Sequence, residues 1–192
     1  MKVLKSLDES KAVGFDGISP RVLKTCAKAL VWILTRLFRK IVRTGEFPKS
    51  WKIARVTPVC RKNSATNPSN YRPVSVLPTL ATTFERVLMQ QLSGFLLEHI
   101  LDEQFGFIPG SGTNDVGLII ADKLSRALEN RKEIRMVALD FRGAFDKVWW
   151  RGLIKHLWEV GIRSKEYKLF ESYLSERSLI EEFGFPCCSI CL

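Results

Sequence analysis

Two aspartates six residues apart, Asp140 and Asp146 in the stretch MVALDFRGAFDKVWW, have the clearest chemical potential in this chain. Asp140 closes an apolar run that reads as a buried strand. A carboxylate there is expensive unless something neutralises it. A divalent cation does so, since Mg²⁺ is commonly held by one or two carboxylates, supplemented by phosphate oxygens and water. Alternation along IRMVALD places Met136, Ala138 and Asp140 on one face of the expected strand, with Val137 and Leu139 on the other. The alternative is an aspartate that caps the next turn or pairs with an arginine, and within this segment both readings stand. Asp146, beside Lys147, reads as a capping or pairing residue.

The second chemically capable group is cationic. Residues 1–72 carry 16 Lys/Arg against 4 Asp/Glu, and residues 73–192 carry 14 against 16, so the net charge of +10 originates entirely in the first part. Such asymmetry suits a polyanion, nucleic acid or a nucleotide triphosphate. Ordinary surface lysines on a solvated helix would give the same sum. Lys52, Arg55, Arg61, Lys62 and Arg72 gather in FPKSWKIARVTPVCRK and YRPVSVLP. The ending CCSIC offers one Cys-x-x-Cys pair, Cys188 and Cys191, with His99 and His156 far away. Half a zinc site is not a zinc site, and free thiols are expected. Trp149 and Trp150 have the faces to stack on bases, but after an apolar strand they are expected in a packed core.

The elements that must position these residues follow from periodicity. AVGFDGISP is a turn, after which Ser19 caps a helix with Pro20 at its first position. Leu23, Cys26, Ala27, Leu30, Leu34, Leu37 and Ile41 recur at helical spacing up to Gly45. Arg36, Arg39, Lys40 and Arg43 near that C-terminus suit the helix dipole. Two β-prone runs joined by the polar NSATNPSN predict a hairpin near residues 52–75, with Pro58 demoting the first strand to an edge or a bend. A helix is expected over 79–100, then the glycine-rich EQFGFIPGSGTND, and a helix capped by Thr113 or Asn114 to about residue 130. The strand ending at Asp140 and helices near 151–159 and 164–176 complete the regular part. The class is α/β (α+β), helix-rich with few strands.

At 192 residues and 46% hydrophobic, the chain has enough apolar surface for one sizeable core. No window approaches ~18 consecutive apolar residues, and MKVLKSLDESK lacks the apolar core of a signal peptide, so an intracellular protein without a membrane span is expected. Five cysteines at these spacings suggest no disulfide framework.

Five blocks, GFDGISPRVLK, FPKSWKIARVTPVCRK, NYRPVSVLPTLATTFERVL, EQFGFIPGSGTND and LDFRGAFDKVWWRGLIKHL, stand in an order that resembles reverse transcriptases of non-LTR retrotransposons, the jockey-like or LINE-type group. The resemblance covers about residues 3–180 and rests on the ordered set, since any single block is weak. It implies the fingers and partial palm of a right-hand polymerase fold. Residues 1–132 would be fingers-like, 133–180 the start of the palm, and 181–192 a tail outside the family pattern. It further implies that Asp140 binds catalytic Mg²⁺ with the Phe141 carbonyl beside it, and that Phe145 lies under the incoming sugar and rejects its 2′-hydroxyl. Arg72 would grip the triphosphate, with Lys52, Arg55, Arg61 and Lys62 on nucleic acid, where guanidinium suits phosphate through paired planar donors. RNA template, DNA primer and dNTP are the implied partners.

Departures from the pattern shape the functional expectation. Ile108 and Ser111 stand where the resemblance leads one to expect basic residues in the glycine-rich loop. The PQG-type block and the aromatic-x-Asp-Asp hairpin of the family are absent, and the chain contains no Asp-Asp pair. The expectation is a truncated RNA-directed DNA polymerase fragment, inactive alone because most metal ligands are missing. The alternatives are a non-enzymatic basic RNA/DNA-binding module and a translated remnant without function.

Overall fold

The computed structural model describes residues 1–60, 70–141 and 143–181. Arg61 and Lys62, and the cysteines of the tail, lie outside the described residues. Seven helices and three strands run in the order α1 (Lys2–Lys5), α2 (Pro20–Thr25), α3 (Ala27–Thr44), β1 (Ile53–Cys60), β2 (Tyr71–Val76), α4 (Thr79–Leu97), α5 (Thr113–Glu129), α6 (Trp150–Glu159), α7 (Ser164–Leu174) and β3 (Ser178–Glu181) among the described residues. Single 3₁₀ turns cover Lys49–Lys52 and Phe145–Lys147. This mixture of helices with a small sheet agrees with the expected α/β class. The chain divides into two compact units, one of residues 1–92 with 149–192 and the other Ser93–Val148.

In the first unit the expected cap is present, with the Val22 N–H donating to Ser19 Oγ at 3.3 Å and Pro20 at the first position. The long helix beyond it breaks at Cys26, whose φ of −87° and ψ of 12° separate α2 from α3. α3 ends at Gly45, where φ is 67° and the N–H donates to the Ile41 carbonyl. A Cβ at Gly45 would approach Lys168 Cβ to 2.9 Å, so the glycine serves both the left-handed cap and the close approach of α7. Gly14 is similarly confined, since a Cβ there would meet Pro78 Cα at 2.7 Å. Thr79 Oγ1 donates to the Ile18 carbonyl at 2.7 Å, so the GFDGIS turn is tied to the start of α4.

The sheet order is β2-β1-β3, with β1 antiparallel to β2 and parallel to β3. The hairpin is therefore as expected, whereas β1 lies between two neighbours rather than at an edge. Pro58 fits because, among the described residues, β3 pairs with Ile53 to Val56 and β1 has one neighbour beyond that point. Pro58 stands opposite Pro73, which puts both missing donors at a single cross-strand position.

The first unit's core forms where α3, α4 and α7 close over the segment leading into β1. Ile41, Phe47, Trp51, Ala81, Phe84 and Leu169 are buried together. Rings meet edge-on, Phe38 with Phe84 at 5.2 Å and Phe47 with Tyr173 at 5.0 Å between centroids. A second cluster of Leu4, Leu7, Leu23, Ala27 and Leu34 shares Leu37, Phe38 and Leu80 with the first. The Phe47 N–H donates to Ser172 Oγ at 3.0 Å and fastens α7 to the loop after α3.

At the edge of this core the Tyr173 hydroxyl donates to Glu85 Oε1 at 2.8 Å. Arg177 lies over the Tyr173 ring at 4.1 Å. Burial first, and then the neighbouring Glu85 carboxylate, push the Tyr173 phenol up to about 12. Burial also raises Glu85 above the usual carboxylate range, against the opposing effects of the Tyr173 hydrogen bond and Arg177. A phenol more reluctant to ionise in the folded than in the unfolded chain retains its proton while the unfolded chain loses one. Stability contributed by Tyr173 is thus intact below the ordinary phenol value and is lost as pH rises towards about 12. Urea midpoints measured across that window should fall, and should fall less steeply in Tyr173→Phe.

In the second unit α5 begins at Thr113, and the Gly112 N–H donates to Asp115 Oδ2 at 2.7 Å, so the cap comes from a side chain three residues on. The strand expected to end at Asp140 does not form. Residues 133–141 have no regular secondary structure. Ile134, Met136, Val137 and Leu139 are 43%, 70%, 80% and 81% exposed. An apolar run becomes a buried strand only where neighbours take its backbone groups and cover both faces, and β1, β2 and β3 pair with one another.

Candidate nucleic-acid interface

The hairpin positions two of the expected cations on one surface. Arg55 pairs with Val76 and Arg72 with Val59, so strand alternation directs both to the same face of the sheet. The opposite face carries buried Ala54 and Val56. Core burial of that pair directs the Arg55–Arg72 face away from the core, and of the two Arg72 is the open one, the Arg55 Nε being covered. Four residues separate Arg55 from Val59, roughly 13 Å along the strand. Two guanidinium groups at that spacing suit an extended polyanion better than one small ion. Arg72 is exposed and has no ion-pair partner among the described residues. Arg55 is half-buried.

Lys52 is not part of that strip. It ends the 3₁₀ turn before β1, seven residues from Val59, about 23 Å along an extended chain. It is 5% exposed and lines a cavity between α3 and α7.

Asp140 and Phe141 are both exposed, Phe141 at 78%. Phe145 is 77% exposed and packs edge-on against Phe107, with centroids 6.0 Å apart. This contact joins the glycine-rich block to the LDF block. Reading the chain residue by residue missed Phe107; the shared order of the two blocks was the available signal. Trp149, expected in the core, is 72% exposed and lies over Gly152. Trp150 is half-buried at the Lys52 cavity.

Among the described residues no three His, Cys, Asp or Glu side chains come together as a metal-binding group. Asp140 supplies a single carboxylate, and one carboxylate does not fit a two-metal centre. No helix among them is long and apolar enough to cross a membrane.

The architecture is thus a mixed α/β protein whose hairpin carries Arg55 and Arg72 on one face. Residues 60–190 match the family model for reverse transcriptase (RNA-dependent DNA polymerase), and the chain belongs to that family. It is 28% identical over 180 residues to the probable RNA-directed DNA polymerase from transposon BS of Drosophila melanogaster, covering 92% of this chain and 20% of that protein. To the RNA-directed DNA polymerase from mobile element jockey of the same species it is 29% identical over 188 residues, 95% of this chain and 20% of that one. With the retrovirus-related Pol polyprotein from type-1 retrotransposable element R1 of Bradysia coprophila it shares 26% over 172 residues, 88% and 17% of the two chains. The chain spans about a fifth of the length of the curated relatives it matches. These matches bear out the resemblance to polymerases of the non-LTR group. The family implies a divalent metal cofactor, which the residues described here do not by themselves hold.

Proposed function

We propose that this chain is the nucleotide- and nucleic-acid-handling part of an RNA-directed DNA polymerase, with residues 1–132 as fingers and 133–180 as the start of the palm. The observation that carries the reading is the shared sheet face of Arg55 and the exposed Arg72, within blocks that keep the family's order. In this reading Arg72 grips the template backbone or the triphosphate of an incoming dNTP, while Arg55, Arg61 and Lys62, with Lys52 further away, contact RNA template or DNA primer. Phe145 lies under the sugar, and Asp140 with the Phe141 carbonyl is the palm's contribution to a Mg²⁺ site. The parent chemistry is attack of a primer 3′-hydroxyl on the α-phosphate of a dNTP. No metal-dependent step is assigned to this chain alone.

A non-enzymatic RNA/DNA-binding module is the second reading, and the charge excess of residues 1–72 favours it equally. Both readings require salt-sensitive binding. Neutralising Arg55 and Arg72 to Gln should flatten the dependence of log affinity on log salt by roughly 1.4–1.8, for two lost phosphate contacts on single or double strands. Fluorescence anisotropy with an RNA–DNA primer–template measures this. Unchanged affinity and slope in the double variant would remove the sheet face from the interface.

A further inference from the structure

The exposed side of α3 is left unexplained by that function. Trp32 is 78% and Ile33 64% exposed, although large apolar side chains are usually at least half-covered. Arg36, Lys40 and Arg43 follow on the same side at helical spacing, and α3 contains no acidic residue. None of the three has an ion-pair partner among the described residues, whereas Arg21 and Lys24 of α2 share Glu9. The helix dipole accounts for Arg43 in the last turn, but its influence fades before Arg36. α3 also lies before residue 60, ahead of the residues that match the family model, though within the stretch aligned with the curated polymerases.

A second observation stands at the end of this stripe. Lys40 lines a cavity of about 700 Å³ together with Lys52 and Trp150. Lys52 is 5% exposed and has no hydrogen-bond or ion-pair partner for its ammonium among the described residues. Its stem is covered while the Nζ stays open to the cavity, so an ammonium without a counter-ion there can take an oxyanion. Glu46, in the same wall, is taken by Lys168 at 3.3 Å. Glu171 and Glu176 also line the cavity, so the Lys52 ammonium, which has no ion-pair partner among the described residues, marks where the oxyanion belongs rather than total charge.

We propose that the exposed side of α3, with the Lys52 cavity at its end, is a second track for single-stranded nucleic acid, separate from the Arg55–Arg72 face. Trp32 stacks on a base, Ile33 packs against a sugar, Arg36 and Lys40 meet phosphates, and Lys52 takes an oxyanion of the same strand. Eight residues of helix from Trp32 to Lys40 rise about 12 Å, which suits a short stretch of unpaired strand. A duplex keeps its bases stacked and offers Trp32 no free face. The proposal rests on the nucleic-acid reading above and extends it from Lys52 to the α3 side, which that reading does not use.

Fluorescence anisotropy of the full chain with a labelled oligouridylate and with a hairpin duplex tests this, using Trp32→Ala, Arg36→Gln/Lys40→Gln, Lys52→Met and, for comparison, Arg72→Gln. Circular dichroism checks that each variant is folded. Trp32→Ala should weaken single-strand binding about tenfold and leave duplex binding nearly unchanged. The Arg36/Lys40 double variant should flatten the salt dependence by roughly 1.4. Lys52→Met, which keeps the aliphatic stem, should weaken single-strand binding several-fold. If the α3 and Lys52 variants bind as wild type while Arg72→Gln weakens binding, the second track is overturned and the proposed function stands. If the wild-type chain binds no nucleic acid at low salt, both fall. Trp32-dependent binding to anionic phosphatidylserine vesicles without oligonucleotide binding would also overturn the track in favour of a membrane surface.

Discussion

Phe84→Ala should lower the unfolding free energy by about 3–5 kcal/mol, read from urea titration followed by tryptophan fluorescence. Phe84 is 2% exposed and touches rings on three sides, Phe38 at 5.2 Å, Phe47 at 6.1 Å and Trp51 at 6.1 Å. These neighbours belong to α3, the following loop and the turn into β1, so no single segment can shift to fill the gap. The loss then includes a cavity term in addition to the lost transfer energy. Against a typical domain stability of about 5–15 kcal/mol, it is a large fraction. Trp32→Ala, at 78% exposure, is the internal contrast and should change stability by no more than about 0.5 kcal/mol. Equal effects of the two substitutions would contradict the core described here.

The second large effect is an absence of synthesis. Given RNA template, DNA primer, dNTPs and Mg²⁺ or Mn²⁺, the 192-residue chain should extend no primer. Two-metal phosphoryl transfer clamps the attacking and leaving oxygens between ions held by several carboxylates. The family resemblance assigns the remaining ligands to an aromatic-x-Asp-Asp block, and this sequence has no Asp-Asp pair. The metal contribution is several kcal/mol, and about 1.4 kcal/mol is tenfold in rate, so the expected rate lies a thousandfold or more below a complete site. Gel-resolved extension products that disappear in Asp140→Ala would show a working centre and overturn this expectation.

The elements legible in the sequence are those whose signals are local. Ser19-Pro20 marked a helix start and Gly45 a helix end because caps depend on a few adjacent residues. The hairpin was legible as two β-prone runs around a polar loop, and the common face of Arg55 and Arg72 followed once its register was known. β3 was not legible, since SLIE is four residues long and its pairing with Ile53 to Val56 lies more than a hundred residues away in sequence. The segment before Asp140 failed in the opposite way. Its composition states a strand clearly, but a strand is a property of the partners as well as of the run. Lys52 read as one more basic residue of the hairpin; its burial arises from α3 and α7, which no local pattern brings together.

Arginine modification by phenylglyoxal, mapped by mass spectrometry with and without RNA–DNA heteroduplex, tests the central claim most directly. Arg72 is exposed and without an ion-pair partner among the described residues, so it should react readily in the free chain. Arg126, held by Asp122 at 2.9 Å, serves as the internal reference. The account predicts that saturating heteroduplex strongly slows modification of Arg72 relative to Arg126. An Arg72 rate unchanged by saturating heteroduplex would contradict it.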